Sequence, residues 1–304
     1  MSDPGFAVSV EERRRLLEAN VAASQFFRRE LLRATGGWPL RYLTDQGARE
    51  VLSTESIWKI GYAPDSWTRL VDHLREQGFS YGTLVRAGLV EWTDEGEAVD
   101  RYRDQLMLVA RDQRSAPVGF IGIGPDGQAR SVTPTTAIHR PSNVLVGVDE
   151  QRVLLGDGAV PIIVDDPMDA IAISKVSRQA RGRWAGIPVC GAGLSTAQAR
   201  ILSGASVTDT AVVVLSGGDA ERRQTAGYLL DLAFFFDRVR VIGLPPGQTP
   251  ASLYLTKNGP QQLREALETS RPLADYRSRR YVAVTRRLRT PDADPDPPAR
   301  GPGL

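Results

Sequence analysis

Cysteine is almost absent from this 304-residue sequence, which contains Cys190 alone. One thiol cannot form a disulfide within the chain, and cysteine zinc sites need several thiolates at short spacing. The two histidines, His73 and His139, do not fill that gap, and we expect both to be polar surface or edge residues. With no histidine beside it, Cys190 is expected to lie buried at a strand end and not to act as a nucleophile. The composition therefore predicts no zinc.

Long apolar runs are missing as well. No stretch approaches the roughly 18 apolar residues of a membrane-spanning helix, and the N-terminal residues lack the hydrophobic segment of a signal peptide. With 41% hydrophobic and 24% charged residues, the balance is that of a globular protein with one large or two small domains. We therefore expect no membrane partner and, by default, a cytoplasmic location.

Lysine is scarce, so arginine supplies most of the positive charge. The formal net charge is only +2, but arginines cluster at residues 13–15, 178–183 and 277–289. The planar guanidinium suits phosphate recognition because it donates two parallel hydrogen bonds. A solvated surface that carries arginine in place of lysine is the alternative interpretation.

The first half of the sequence combines helical periodicity with a β-hairpin. Apolar spacing predicts an amphipathic helix over 11–34 and a second helix over 65–78, with Asp65 as its N-cap. A short helical piece and a turn are expected over 79–96, and Trp58 and Trp67 are interpreted as core residues.

Two apolar segments then predict paired strands, LMLVARD at 106–112 and PVGFIGIG at 117–124. Residues 126–149 are polar, contain several prolines and are expected to be irregular.

Strands and helices alternate from residue 160 onward, with Ser195 expected to cap the helix that begins at 196. Such alternation predicts βαβ crossovers and a mainly parallel sheet, whose ligands bind at the carboxyl ends of the strands. A further helix is expected over 220–235, and one or two over 250–270. A basic segment at 271–289, interpreted as helical, precedes a disordered, proline-rich tail.

Several motifs, taken in order, resemble one known family. GYAPDSW at 61–67, DRYRDQLMLVARD at 100–112 and TPTTAIHRPSNVLVGV at 133–148 are similar to the N-terminal core of DnaG-type bacterial primases. Other segments resemble the Toprim motifs of that family: VDDPMDAIA at 164–172, GAGLST at 191–196, VVVLSGGDAERR at 212–223 and PPGQTPASLYL at 245–255.

The resemblance implies an α+β N-terminal core subdomain followed by an α/β Toprim subdomain with a mainly parallel sheet. We place the first at residues 1–157, the second with its trailing helices at 158–276, and a basic, then disordered tail at 277–304. The family's zinc ribbon and its helicase-binding domain are not expected within this sequence.

Primase chemistry, as the resemblance implies it, joins nucleotides by attack of a 3′-hydroxyl on an α-phosphate, with magnesium or manganese held by carboxylates. Asp165 takes the place of the Toprim glutamate, Asp166 follows it, and Asp169 matches a family aspartate. These three are the candidate metal ligands, with Asp165 and Asp169 as candidate catalytic residues. We expect them to hold an ion weakly at best.

Other acidic positions of the family are replaced. Its D-x-D pair falls on Ser216 and Gly218, and Thr249 stands for a further aspartate. Asp219 and Glu221 could act as a displaced pair, at the cost of a three-residue slip in the alignment. The candidate metal centre is therefore interpreted as degenerate.

The basic side of the family's groove is altered too, because Gln105 stands where an arginine is usual. If the family geometry holds, Arg101, Arg103, Arg130 and Arg140 line the groove and bind phosphates.

Three functions follow as hypotheses. The first is a primase-like protein of DNA replication that binds single-stranded DNA or an RNA–DNA hybrid, with replication proteins as further partners and with weakened or lost primer synthesis. The second is an active primase that uses Asp165, Asp166 and Asp169. The third is a protein-interaction module without nucleic-acid binding.

Overall fold

A computed structural model of the chain describes residues 8–190, 193–215 and 229–272. The helices are α1 (Val10–Arg33), α2 (Trp38–Asp45), α3 (Arg69–Glu76), α4 (Tyr81–Arg86), α5 (Arg152–Gly156), α6 (Pro167–Gln179), α7 (Thr196–Ala205), α8 (Leu229–Ala233), α9 (Pro250–Tyr254) and α10 (Gly259–Glu268), with 3-10 turns at Arg49–Leu52 and Pro141–Asn143. The strands are β1 (Gly61–Ala63), β2 (Val90–Trp92), β3 (Ala98–Asp100), β4 (Gln105–Arg111), β5 (Pro117–Ile123), β6 (Ala129–Val132), β7 (Val160–Val164), β8 (Trp184–Pro188), β9 (Thr210–Leu215), β10 (Arg238–Gly243) and β11 (Arg271–Pro272).

The first subdomain is built on an antiparallel sheet in the order β1-β4-β5-β6. Helix α1 packs on it closely, and a Cβ at Gly61 would lie 2.5 Å from the Cβ of Phe27. The Phe27 and Phe120 rings meet edge to face at 5.4 Å within this core. The amphipathic helix and the strand hairpin predicted from the sequence are both confirmed.

The helix predicted over 65–78 is shorter and has a different cap. It begins at Arg69, and Asp65 is not its N-cap. Instead Asp100, at the end of β3, accepts hydrogen bonds from the backbone N–H groups of Leu70 and Val71, both at 2.8 Å. A residue 30 positions away thus satisfies the open amides of the helix, which local periodicity does not reveal.

Among the helices and strands of the first subdomain, the sequence did not predict α2, β1, the β2–β3 hairpin, β6 or α5. Two side-chain predictions were also wrong. His139 is fully buried, where its Nδ1 lies 3.0 Å from the Pro134 carbonyl, and it is no surface residue. Trp67 is 62% exposed, whereas Trp58 is a core residue as expected.

The second subdomain carries a five-stranded sheet in the order β11-β10-β9-β7-β8, parallel except for β11. Its mainly parallel character confirms the predicted α/β class. Ser195 caps α7 in a capping box with Gln198, as expected. Glycine 186 on β8 lets α6 approach, because a Cβ there would lie 2.5 Å from the Ala170 carbonyl oxygen.

The end of the described chain departs from expectation. Residues 250–270 form two helices, α9 and α10, but residues 271–272 are a strand that pairs antiparallel with β10. Of the helix predicted over 220–235, residues 220–228 lie outside the described residues, as do 273–304 with the predicted tail. The proposed subdomain boundary at residue 157 falls in the turn between α5 and β7 and stays a prediction.

One apolar cluster joins the two subdomains, since Leu31 and Leu43 share it with Ile162 and Ile171. Lys175 of α6 adds a polar link by donating to the Gly47 carbonyl at 2.6 Å. In the part of the chain that the structure describes, no helix is long and apolar enough to span a bilayer.

Candidate nucleic-acid interface

The acidic residues of the site follow β7, at the carboxyl end of the parallel sheet. Asp166 is the N-cap of α6 and accepts from the backbone N–H of Met168 at 2.6 Å. Asp169, in the first turn of α6, is 2% exposed and accepts from the backbone N–H of Ala251 at 2.8 Å. Two of the three candidate carboxylates are therefore engaged by the protein's own amides.

Thr249 contributes to the same arrangement. It is the N-cap of α9, in a capping box with Ser252, and its hydroxyl hydrogen-bonds to the Asp169 carboxylate. The resemblance implies an aspartate at this position, and a second carboxylate here would repel Asp169. A hydroxyl in its place lets the buried carboxylate be satisfied within the protein.

Burial dominates the titration of these acids. It raises the pKa of Asp169 to about 7, with the negative charge of Asp166 adding to the effect. Burial likewise raises the pKa of Asp166 to about 6. Cys190, half-buried two residues beyond β8, has its thiol pKa raised by burial and then by Asp166, so it is a poor nucleophile at neutral pH.

The described acids after β7 do not by themselves show a site for magnesium or manganese. Among the residues that the structure describes, no three His, Cys, Asp or Glu side chains are grouped to hold a metal ion. Such an ion needs several oxygen ligands that point inward together. Ser216, Gly218, Asp219 and Glu221 lie outside the described residues. The metal role of Asp165, Asp166 and Asp169 therefore stays a prediction, and no reaction step is assigned to an ion.

Tyr42 lies where the two subdomains meet beside these acids. Burial raises the pKa of its phenol, and the charges of Asp166, Asp169 and Asp126 add to that shift. A Cβ at Gly127 would lie 2.7 Å from the Tyr42 hydroxyl, so the β5–β6 turn packs against the hydroxyl end of this side chain. The tyrosine thus places the turn of the first subdomain opposite the acidic end of the second.

An aromatic cluster continues from Tyr42 into the first subdomain. Its ring centroid lies 6.2 Å from that of Trp38, which lies 6.1 Å from that of Tyr62. Asp104 holds the cluster: its carboxylate accepts from the Tyr62 hydroxyl at 2.9 Å and from the Trp38 indole N–H. The sequence analysis did not single out any residue of this cluster. The one available signal was that Asp104 follows directly after Arg103.

The turn between β3 and β4 carries two of the predicted phosphate-binding arginines. The guanidinium carbon of Arg103 lies 3.6 Å from the ring centroid of the exposed Trp67. The backbone N–H of Asp100 donates to the Trp67 carbonyl at 2.6 Å, which fixes the tryptophan loop against this turn. Arg101 forms an ion pair with Glu91 at 3.2 Å.

The remaining predicted residues are distributed differently. Arg130, on β6, pairs with Asp126 at 3.7 Å at the same end of the sheet as the Arg103 turn. Gln105 is buried in the sheet, where its side-chain oxygen accepts from the Ser131 hydroxyl. The structure does not group Arg140 with the other three arginines, because it lies beyond the opposite end of β4 and β5, beside Arg13 and Arg200.

Comparison with known proteins gives a consistent result. Residues 26–152 match the family model described as the DNA primase catalytic core, N-terminal domain. Curated DNA primases of Deinococcus radiodurans and Synechococcus elongatus are 31% and 30% identical over 269 and 270 residues, which is 87% and 86% of this chain. The chain spans only 44% and 38% of the length of these two relatives.

Solved structures agree in fold. The RNA polymerase domain of Mycobacterium tuberculosis primase DnaG, in complex with double-stranded DNA, is 25% identical with a TM-score of 0.74, covering 90% of this chain and 86% of that one. A DnaG primase catalytic domain bound to single-stranded DNA has a TM-score of 0.71 at 22% identity, covering 87% and 81% of the two chains.

An antiparallel core joined to a mainly parallel α/β subdomain, with the interface between them, defines the architecture of a primase catalytic core. Fold and sequence together identify this chain as a relative of the bacterial DnaG primases over that core.

Proposed function

We propose that this chain binds single-stranded nucleic acid at the Trp67–Arg103 surface, in DNA replication, and that it has weakened or lost primer synthesis of its own. The observation that carries the binding proposal is the exposed indole of Trp67 with a guanidinium stacked on it at 3.6 Å. Aromatic faces stack on any base, and arginine adds phosphate contacts and cation–π attraction.

Support for the binding proposal also comes from relatives. One neighbouring catalytic domain has been solved bound to single-stranded DNA and another in complex with double-stranded DNA. An RNA–DNA hybrid and replication proteins are further partners that we propose on the family resemblance alone.

Reduced synthesis is proposed because two of the acids that follow β7 already accept hydrogen bonds from the protein itself. Asp166 caps a helix, and Asp169 is held by Ala251 and Thr249. An active primase is the second candidate, favoured by one observation: Asp165, Asp166 and Asp169 do follow β7 at the carboxyl end of the parallel sheet, where such folds place their ligands.

Single-strand binding measured across a salt series tests the first candidate. The logarithm of the affinity should fall linearly with the logarithm of salt concentration, and Arg103→Ala should weaken binding and reduce the slope by roughly one phosphate contact. Arg49→Ala, at an exposed arginine of the 3-10 turn Arg49–Leu52, is the matched control. Binding absent at every salt concentration would overturn the proposal and favour a protein-interaction module.

A further inference from the structure

The β2–β3 hairpin and the start of α4 together carry an exposed aromatic surface. Trp92, the last residue of β2, is 52% exposed, and its ring centroid lies 5.7 Å from that of Tyr81. Tyr81, the first residue of α4, is 40% exposed. Adjoining exposed aromatic side chains are typical of a surface on which another polypeptide segment binds.

A guanidinium already stacks on one side of this aromatic pair. The guanidinium carbon of Arg75 lies 4.3 Å from the ring centroid of Tyr81, and Arg75 also donates to the Phe79 carbonyl at 2.7 Å. Arg75, Tyr81 and Trp92 thus form a row in which the indole is the more exposed ring. Because tryptophan gives the strongest cation–π attraction of the aromatic side chains, a second guanidinium would extend this row at Trp92.

The turn of the hairpin gives the aromatic surface a negative edge. Asp94, Glu95 and Glu97 are all exposed, and their carboxylates form no ion pair with any residue that the structure describes. Glu91, on β2, is neutralised by Arg101 at 3.2 Å. Three uncompensated carboxylates repel phosphate and attract a cationic segment, so the charge favours an arginine-rich peptide over nucleic acid.

A segment of the same chain has the complementary chemistry. Residues 277–289, RSRRYVAVTRRLR, contain six arginines and no acidic residue. The 17 residues that follow Pro272, up to Arg289, span as much as about 55 Å when extended, comparable to the diameter of about 50 Å expected for a folded chain of this size. Because the segment is covalently attached, its effective concentration at the hairpin is high.

We propose that the acidic hairpin surface, defined by Tyr81, Trp92, Asp94, Glu95 and Glu97, is the docking site for the arginine-rich segment 277–289 of the same chain. One arginine of the segment stacks on the indole, and its neighbours pair with the three exposed carboxylates. Docking holds on the first subdomain a segment that follows the sheet of the second. The proposal does not rest on single-strand binding at Trp67.

Photocrosslinking within the full chain, freed of nucleic acid, tests this docking. The photoreactive residue p-benzoylphenylalanine replaces Tyr281 in one protein and Leu288 in another, and mass spectrometry identifies the residues that it captures. We expect capture on the β2–β3 hairpin or at Tyr81 from at least one of the two positions. A mixture of isotopically light and heavy copies shows whether each crosslink joins residues of one chain.

Variants of the hairpin separate docking from chance contact. Trp92→Ala removes the stacking platform, and Asp94→Asn with Glu95→Gln and Glu97→Gln removes the charge while keeping the size of the side chains. Each should reduce hairpin capture at least about fivefold, and salt at about 1 M should reduce it similarly.

Two further variants complete the test. Asp45→Asn with Glu55→Gln and Glu265→Gln neutralises three exposed acids elsewhere, and this matched control should leave capture unchanged. Conversely, replacement of three arginines of the segment should reduce capture as the hairpin variants do, with every residue of the hairpin retained; the substitutions are Arg286→Ala, Arg287→Ala and Arg289→Ala.

Three results would overturn the proposal. The first is capture spread over the surface of both subdomains, and the second is a set of hairpin crosslinks that join only light to heavy copies. The third is hairpin capture that neither the hairpin variants nor the arginine variant reduces.

Discussion

The buried carboxylate of Asp169 accepts a hydrogen bond from the backbone N–H of Ala251 at 2.8 Å, which ties α6 to the start of α9. This contact crosses 82 positions of the chain. With the Thr249 hydroxyl as a second donor, it gives an acid at a candidate metal site a structural function that needs no ion.

Removal of this acid should destabilise the fold. Asp169→Ala leaves the Ala251 amide and the Thr249 hydroxyl buried without their acceptor, and we expect the free energy of unfolding to fall by about 1–3 kcal/mol. Asp169→Asn keeps an acceptor and should cost less. Urea unfolding in metal-free buffer measures both, with Asp94→Ala at an exposed hairpin turn as control. Unchanged stability in Asp169→Ala would contradict the structural role.

Stability should depend on pH through the same residue. Burial raises the pKa of Asp169 to about 7 in the folded protein, against an ordinary value of 3.8. The folded state then binds the proton more tightly than the unfolded chain, so its contribution is complete below about pH 4 and is lost as pH rises to about 7.

Asp100 and Asp166, with pKa values of about 6, act in the same direction at lower pH. Burial lowers the pKa values of His73 and His139 from 6.5, so they act in the opposite direction near pH 6 to 7, and only the difference between the unaltered protein and Asp169→Asn isolates Asp169. Between about pH 6 and pH 7 the free energy of unfolding of the unaltered protein should decline relative to that of Asp169→Asn. Equal slopes in the two proteins would rule out Asp169 as the titrating group.

Asp100 should prove essential to α3. Asp100→Ala removes the acceptor for the Leu70 and Val71 amides, and we expect a loss of about 1–2 kcal/mol in the free energy of unfolding. Asp65→Ala serves as the control, because Asp65 precedes the helix without capping it. Thermal or urea unfolding measures both variants. A larger loss of unfolding free energy in Asp65→Ala would indicate that Asp65 caps the helix, as the sequence predicted, and would contradict the role of Asp100.

Some features of the fold and the site could be predicted from the sequence, and others could not. The parallel sheet, the β4–β5 hairpin and the Ser195 cap follow from local patterns, and each is confirmed. The cap supplied by Asp100 depends on a contact 30 positions away, which no local pattern encodes.

The sequence also failed to predict whether two individual side chains are buried or exposed. His139 was expected to be a polar surface or edge residue and Trp67 a core residue, yet the structure buries the first and exposes the second. Both lie in loops, where no strand or helix period indicates which way a side chain faces. The hydrogen bonds that Asp169 accepts likewise depend on where α9 lies in the fold. The motif resemblance does not give that position.

Trp67 should contribute to single-strand binding, whereas the similarly exposed Trp92 should not. Trp67 is 62% exposed beneath Arg103, and Trp92 is 52% exposed beside Tyr81 on the β2–β3 hairpin. Loss of one stacking platform costs about 1–3 kcal/mol, or roughly fivefold to 150-fold in affinity. Fluorescence anisotropy with a labelled oligonucleotide compares Trp67→Ala and Trp92→Ala directly. Equal weakening by the two substitutions would indicate that neither forms a specific platform.

Primer synthesis measured beside single-strand binding tests the proposed function most directly. The assay supplies a single-stranded template, labelled ribonucleotides and magnesium or manganese to the unaltered chain and to Asp165→Asn with Asp169→Asn. We expect both proteins to bind the template with similar affinity and neither to make primers above background. Primers made by the unaltered chain and abolished in the variant would contradict this expectation and establish the acids after β7 as a working catalytic centre.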